Sequence, residues 1–198
     1  MNWVEASAYV AAAVVSAVAT LFAVWYRHKL SSRGCDLIQE ETKQNTNVYT
    51  ALQYTLEQTQ ADRAYILEFH NGEHFYAGRG QQKFSCTFEI VKEGISAEAH
   101  KSQNHRVSNY HNYIQRLVDN EKFSHENVEQ IEDHFFSNLL KQKGVKSVYN
   151  VPLKTLNGKI VGILGIDYVR HPQENNLGKI SIAELLKKQA KIITGYLL

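Results

Sequence analysis

The 198-residue sequence predicts an α+β protein, an antiparallel sheet with flanking helices collected on one face, preceded by one N-terminal transmembrane helix. Three observations carry this prediction. Residues Ala6–Tyr26 are uncharged and rich in Ala and Val. Two pairs of segments rich in β-branched and aromatic residues lie on either side of a stretch with helical periodicity. Further helical patterns precede the first pair and follow the second. The order is membrane helix, helix, β-β, helix-helix, β-β, helix.

A helix over the 21 residues Ala6–Tyr26 reaches about 30 Å, the thickness of a hydrocarbon core. Trp3 and Tyr9 bracket it on one side and Trp25-Tyr26 on the other, like the aromatic belts of the two interfaces. Arg27, His28, Lys29 and Arg33 follow, and basic residues mark the cytoplasmic side. The reading is a single-pass protein of the inner or plasma membrane, N-terminus out, with its C-terminal domain cytoplasmic and the lipid bilayer as one partner. A cleaved signal peptide needs basic residues before the apolar run, where only Glu5 stands. Ala12, Ser16 and Ala19 or Thr20 fall on about one helical face, which permits close packing of two copies and a homodimer.

Residues 1–30 are thus the anchor, 31–60 a juxtamembrane amphipathic helix and 61–198 the cytoplasmic domain. Within 36–60, Leu37, Ile38, Val48, Ala51, Leu52 and Leu56 recur at helical spacing without Gly or Pro. The strands 63–69 and 83–91 are joined by a Gly-bearing connection, 70–80. The stretch 94–107 is polar and irregular, and 109–119 and 126–143 have helical periodicity, the second ending at Gly144. Strands 147–155 and 159–169 flank Leu156-Asn157-Gly158, where Asn-Gly predicts a two-residue hairpin turn. A helix over 180–197 closes the chain and packs on the same side of the four-stranded sheet as 36–60.

The run Val148–Leu153 (VYNVPL) followed by Asn157–Ile166 (NGKIVGILGI) resembles the strand hairpin of the GAF domain family, and Ala61–Phe69 is similar to that family's first strand. The resemblance covers about residues 36–197 and is firmest over 148–166. It implies a GAF-like sensory or regulatory domain. The polar signature of cyclic-nucleotide-binding members and a chromophore-linking Cys are not found, so those ligands do not carry over. Cys35 and Cys86 are too few for the thiol set of methionine-sulfoxide-reducing relatives. The cofactor is left unknown.

Charge and cysteine content narrow the function classes. Beyond Arg33 the chain carries 19 basic and 19 acidic residues, which lacks the broad positive field of a nucleic-acid binder. Two cysteines build neither a disulfide framework nor a four-thiolate zinc site. Cys86 reads as a small buried hydrophobe, and Cys35, beside the basic flank, as a structural residue open to acylation or cross-linking. His70 and His74 stand four apart, and His100, His105 and His111 follow, but Asn71-Gly72 breaks the helix a zinc pair needs, so no metal is expected. No Ser-His-Asp order or nucleophile elbow arises, and the protein is read as a non-enzyme.

The candidate ligand-binding residues are Glu68, His70, Asn71, Gly72, Arg79 and Asp167. Connections at strand ends hold many ligand contacts. Arg79 and the glycine amides suit an anionic group, and Glu68 or Asp167 would accept hydrogen bonds. Alternation puts Glu68 with Ile66 on one face and Tyr65, Leu67 and Phe69 on the other. In a single sheet, Glu68 and Asp167 are expected to approach one another. The expected function is a membrane-anchored domain that binds a small ligand or protein partner and passes the change along its terminal helices. The alternative is a tethered protein-protein adaptor without a small-molecule site, of the kind a phage uses for host takeover or lysis control.

Overall fold

The computed structural model describes residues 2–31, 37–75, 78, 80–170 and 179–198. The chain divides into two compact units, Met1–Lys43 and Gln44–Leu198. The first holds helix α1 (Trp3–Ser31) and the start of α2 (Leu37–Thr59). Over Ala11–Lys29, α1 is long and apolar enough to cross a membrane, and Val14, Leu21, Phe22 and Trp25 are all exposed.

The second unit is built on a six-stranded antiparallel sheet of order β3-β2-β1-β6-β5-β4. Its strands are β1 (Arg63–His74), β2 (Gly80–Val91), β3 (His105–Arg106), β4 (Phe123–His125), β5 (Ser147–Lys154) and β6 (Ile160–Tyr168). Helices α3 (His111–Asn120) and α4 (His134–Gln142) lie in the segment between β2 and β5, and α5 (Lys179–Leu197) ends the chain.

Strand alternation sorts the core into two layers. Ala64, Ile66, Val151, Leu153, Leu164 and Ile166 face the helix layer, where Val48, Leu52 and Leu56 of α2 and Leu186, Ala190 and Ile193 of α5 cover them. Full burial of a Leu or Val contributes about 1.5–3 kcal/mol, so this stripe holds the terminal helices to the sheet. Tyr65, Leu67, Phe84, Cys86, Val148 and Ile163 face the other layer, filled by Tyr113, Leu117, Val128, Phe136 and Leu140 from the segment between β2 and β5.

From Gln44 onward α2 runs antiparallel to β1. Near its end the Thr59 carbonyl accepts from Tyr168 Oη at 2.8 Å, and two to three turns earlier the Tyr49 ring meets Phe88, opposite Ile66. The Gln44 end of the domain is therefore the end at which β5 turns into β6.

The structure departs from the sequence reading in four places. Edge strands β3 and β4 were not expected, being two and three residues long. The periodicity over 126–143 is only partly a helix: Asp133 accepts from the Phe136 amide and starts α4 there, while Val128 sits in a 3-10 turn, Val128–Gln130. The connection 70–80 is shorter than expected, because Asn71-Gly72 lies within β1. The hairpin after β5 is not a two-residue Asn-Gly turn, since that type needs positive φ at both residues and only Gly158 has it, at 78°. Instead the Gly158 amide donates to the Thr155 carbonyl at 2.9 Å, with Leu156 and Asn157 in the middle of the turn.

Candidate functional site

Glu68 is opposite Gly162, the last pairing of β1 with β6, yet β1 and β2 stay paired out to His74 and Gly80. β3 still pairs with β2 at Lys83 and Phe84, opposite His70 and Phe69, so beyond that point the two strands leave the sheet as an arm. The β1 edge beyond Glu68 has no strand beside it among the described residues. Two residues of β1, Gly72 and Glu73, are skipped in the pairing between Asn71↔Gln82 and His74↔Gly80. At this irregularity a Cβ on Gly72 would lie 2.7 Å from the Gln81 carbonyl oxygen, so only glycine permits the approach.

The arm brings together three of the six candidate residues. His70 Nε2 lies 2.9 Å from Ser85 Oγ, which also accepts from the Asn104 amide at 2.8 Å. Asn71 is exposed, its Oδ1 accepting from Gln82 Nε2 at 3.3 Å. Gly72 adjoins them, and Glu68 stands at the base of the arm, half-buried. Arg79 lies outside the described residues.

Asp167 is elsewhere. It pairs in register with Arg63, five residues along β1 from Glu68, a separation of about 17 Å at the usual rise per residue. The two acids also face opposite layers, because alternation sets Arg63 and Asp167 with Tyr65 and sets Glu68 with Ile66. They do not approach one another as the sequence reading expected.

Asp167 belongs instead to a buried polar network that the sequence reading missed. Arg63, 1% exposed, donates from Nη1 to Asp167 Oδ1 at 3.2 Å, from Nη2 to the Lys143 carbonyl at 3.0 Å and from Nε to the Ser96 carbonyl at 2.9 Å. One guanidinium thus ties the loop after β2 and the end of α4 to the centre of the sheet. Lys143 donates to Ser102 Oγ and lies over the Tyr65 ring. Glu89 Oε2 accepts from the amides of Glu98 and Ala99.

Burial shifts the acid-base properties of this network. Loss of water raises Asp167 to about 7, against the opposing pull of Arg63 and Lys143. The same cause lowers Lys143 and pushes the Cys86 thiol up to about 12. Asp167 ordinarily titrates near 3.9 in an unfolded chain, so between about pH 4 and 7 the folded state holds the extra proton. Its contribution to stability is full below that window and is lost as pH rises through 7. Urea midpoints at pH 5 and pH 8 check this. The decline toward pH 8 will be shallower in Asp167→Asn, and an unchanged slope would refute the assignment.

Among the described residues, two clefts lie on the helix-layer side of the domain. One, of about 340 Å³, is lined by Glu121, Val151, Pro152, Lys154, Lys187, Ala190 and Lys191. The other, about 320 Å³, runs between α2 and α5 past Asn47, Tyr54, Gln189, Ile192 and Tyr196. Among the described residues no group of three or more His, Cys, Asp or Glu is placed to hold a metal ion.

Comparison with known proteins places this geometry. The GAF domain family matches residues 45–184. A search of curated proteins finds no match. Among solved structures, GAF3 from Slr1393 of Synechocystis sp. PCC6803, in its photoproduct state, superposes with a TM-score of 0.58 at 13% identity, covering 78% of this chain and 92% of that one. The blue-light absorbing form of the PixJ GAF domain from Thermosynechococcus elongatus gives 0.58 at 15% identity, covering 82% and 90%. A GAF domain region from Geobacter sulfurreducens PCA gives 0.57 at 15% identity, covering 82% and 97%. At these identities the likeness is one of fold.

Proposed function

The chain belongs to the GAF domain family, and from that premise we propose that it is a membrane-anchored sensory domain, cytoplasmic in position, that binds a small ligand or protein partner. The observation that carries the reading is the two-sided sheet. One face holds α2, whose chain leads back to the apolar helix α1, and the other holds the segment between β2 and β5, clasped by Arg63. A contact that shifts this segment acts on the same strands against which α2 and α5 pack, so the terminal helices are the output.

The proposed contact site is the arm. Glu68, His70, Asn71, Gly72 and Arg79 supply a carboxylate, an imidazole, an amide, close backbone and a guanidinium within a dozen residues. Asp167 acts at a distance, through the Arg63 clasp. The span 6–26, the outside N-terminus and a homodimer through the membrane helix are parts of the same proposal. The open β1 edge of the arm favours a second reading, the tethered adaptor, because an unpaired strand edge can add a partner's strand.

Native mass spectrometry of the detergent-solubilised full chain separates the two. A small molecule at stoichiometric occupancy supports the sensor, and a co-purifying protein alone supports the adaptor. Arg79→Ala and Glu68→Gln will each weaken retention about ten- to a hundredfold, with thermal stability level, whereas the exposed control Gln130→Ala will not. Retention unchanged in both arm variants would remove the arm from the proposal.

A further inference from the structure

The turn between β5 and β6 carries Leu156 fully exposed at its tip. Lys154 precedes it and Lys159 follows, the latter exposed. Beside the turn, Lys154, Lys187 and Lys191 converge on the 340 Å³ cleft, where Glu121 holds Lys154 at 2.6 Å and Lys187 at 3.8 Å. Lys154 and Lys187 share that carboxylate, Lys191 lines the same cleft, and exposed Lys122 adjoins Glu121 in sequence. One helical turn before Lys187 stands Glu184, and Asp119 stands two residues before Glu121, so five lysines face three acids in a domain, Gln44–Leu198, of 18 basic and 16 acidic residues. A cationic cleft beside an apolar tip has the two parts of a surface that binds anionic lipid: charge for headgroup phosphates and a side chain for the acyl boundary.

Position agrees with composition. The turn lies at the Gln44 end of the domain, where the chain arrives from the apolar segment. The 17 residues between Tyr26 and Gln44 reach at most ~60 Å even when fully extended. A tether of that length keeps the turn at high effective concentration near a bilayer. We propose that the β5–β6 turn, with Leu156 at its tip and the lysine cleft beside it, is a docking surface for an anionic lipid leaflet. The proposal rests on the reading of residues 6–26 as a membrane span.

The test uses the full chain in nanodiscs, with an environment-sensitive fluorophore on Leu156→Cys in a Cys35→Ser background. Discs of phosphatidylcholine alone are compared with discs containing phosphatidylglycerol. Docking gives blue-shifted emission, quenched by spin-labelled lipid, in the anionic discs only, and K154E/K187E/K191E lowers that quenching at least about fivefold. Equal, water-like emission in both discs overturns the proposal. So does a response to inorganic phosphate in neutral discs that matches the anionic ones, which would make the cleft a site for soluble anions. Failure of the chain to enter discs removes the anchor reading instead. The same labelled chain, floated with preformed neutral and anionic vesicles, then decides the docking surface: binding to anionic vesicles alone supports it, and binding to neither overturns it.

Discussion

Arg63→Met will lower the stability of the domain by about 3–5 kcal/mol, the usual cost of removing one member of a buried ion pair. Three acceptors lose their donor at once: the carbonyls of Ser96 and Lys143 and the carboxylate of Asp167. Water is shut out at the Arg63–Asp167 contact, where each residue is 1% exposed, whereas Ser96 is exposed and its carbonyl then turns to solvent. The loss will be smaller at pH 5 than at pH 8, because Asp167, already raised to about 7, can shed its charge by taking a proton. The double variant Arg63→Met/Asp167→Leu will recover much of the loss by removing the stranded charge with its partner. Urea unfolding of all three chains at both pH values measures this. A cost under about 1 kcal/mol for the single variant would show that the clasp is dispensable.

Gly165→Ala is the second large effect, at about 3–5 kcal/mol from overpacking together with lost buried hydrogen bonds. A Cβ at Gly165 would fall inside van der Waals contact of the Tyr65 ring and 2.5 Å from Asn150 Oδ1. Neither neighbour can yield cheaply. Tyr65 Oη donates to Asn150 Oδ1 at 3.1 Å, and Asn150 Nδ2 donates to Tyr113 Oη at 2.7 Å. The Tyr113 ring in turn stacks on Phe136 with centroids 3.7 Å apart. Moving Tyr65 therefore disturbs a chain that joins β1, β5, α3 and α4. Thermal and urea midpoints of Gly165→Ala, with Gly195→Ala as a control where a Cβ meets open space, check the value. Equal midpoints for the two variants would refute it.

The four long strands were legible because their β-branched and aromatic residues sit in runs long enough to show a pattern. β3 and β4 were not, since two or three residues carry no periodicity and their pairing depends on neighbours distant in sequence. The false helix start at 126 has a physical cause: Val128 and Ile131 keep helical spacing while facing the core from a 3-10 turn and the extended residue after it. The Arg63–Asp167 pair spans 104 residues and needs the β1–β6 register to be seen. One signal for it was present. Alternation places Arg63 on the face of Tyr65 and Leu67, and an arginine on an apolar face calls for a buried acid. Glu68 was placed by strand alternation and His70 by its position at a strand exit, and neither argument reveals that β1 outruns β6 at Glu68.

The placement of β1 at the centre of the sheet, between β2 and β6, has a consequence during synthesis. β2 follows it within a few residues, but the strand that covers its other edge is made last. At about 5–20 residues per second, roughly 5–20 s separate the emergence of Arg63 from that of Asp167. For that interval the nascent β1–β2 hairpin offers Ala64, Ile66 and Leu67 along an unpaired edge, far longer than the microseconds in which a hairpin forms. On polysomes at high density, neighbouring nascent chains present identical edges, and a holdase that binds this hairpin will raise the yield of folded protein without altering the stability of the finished domain.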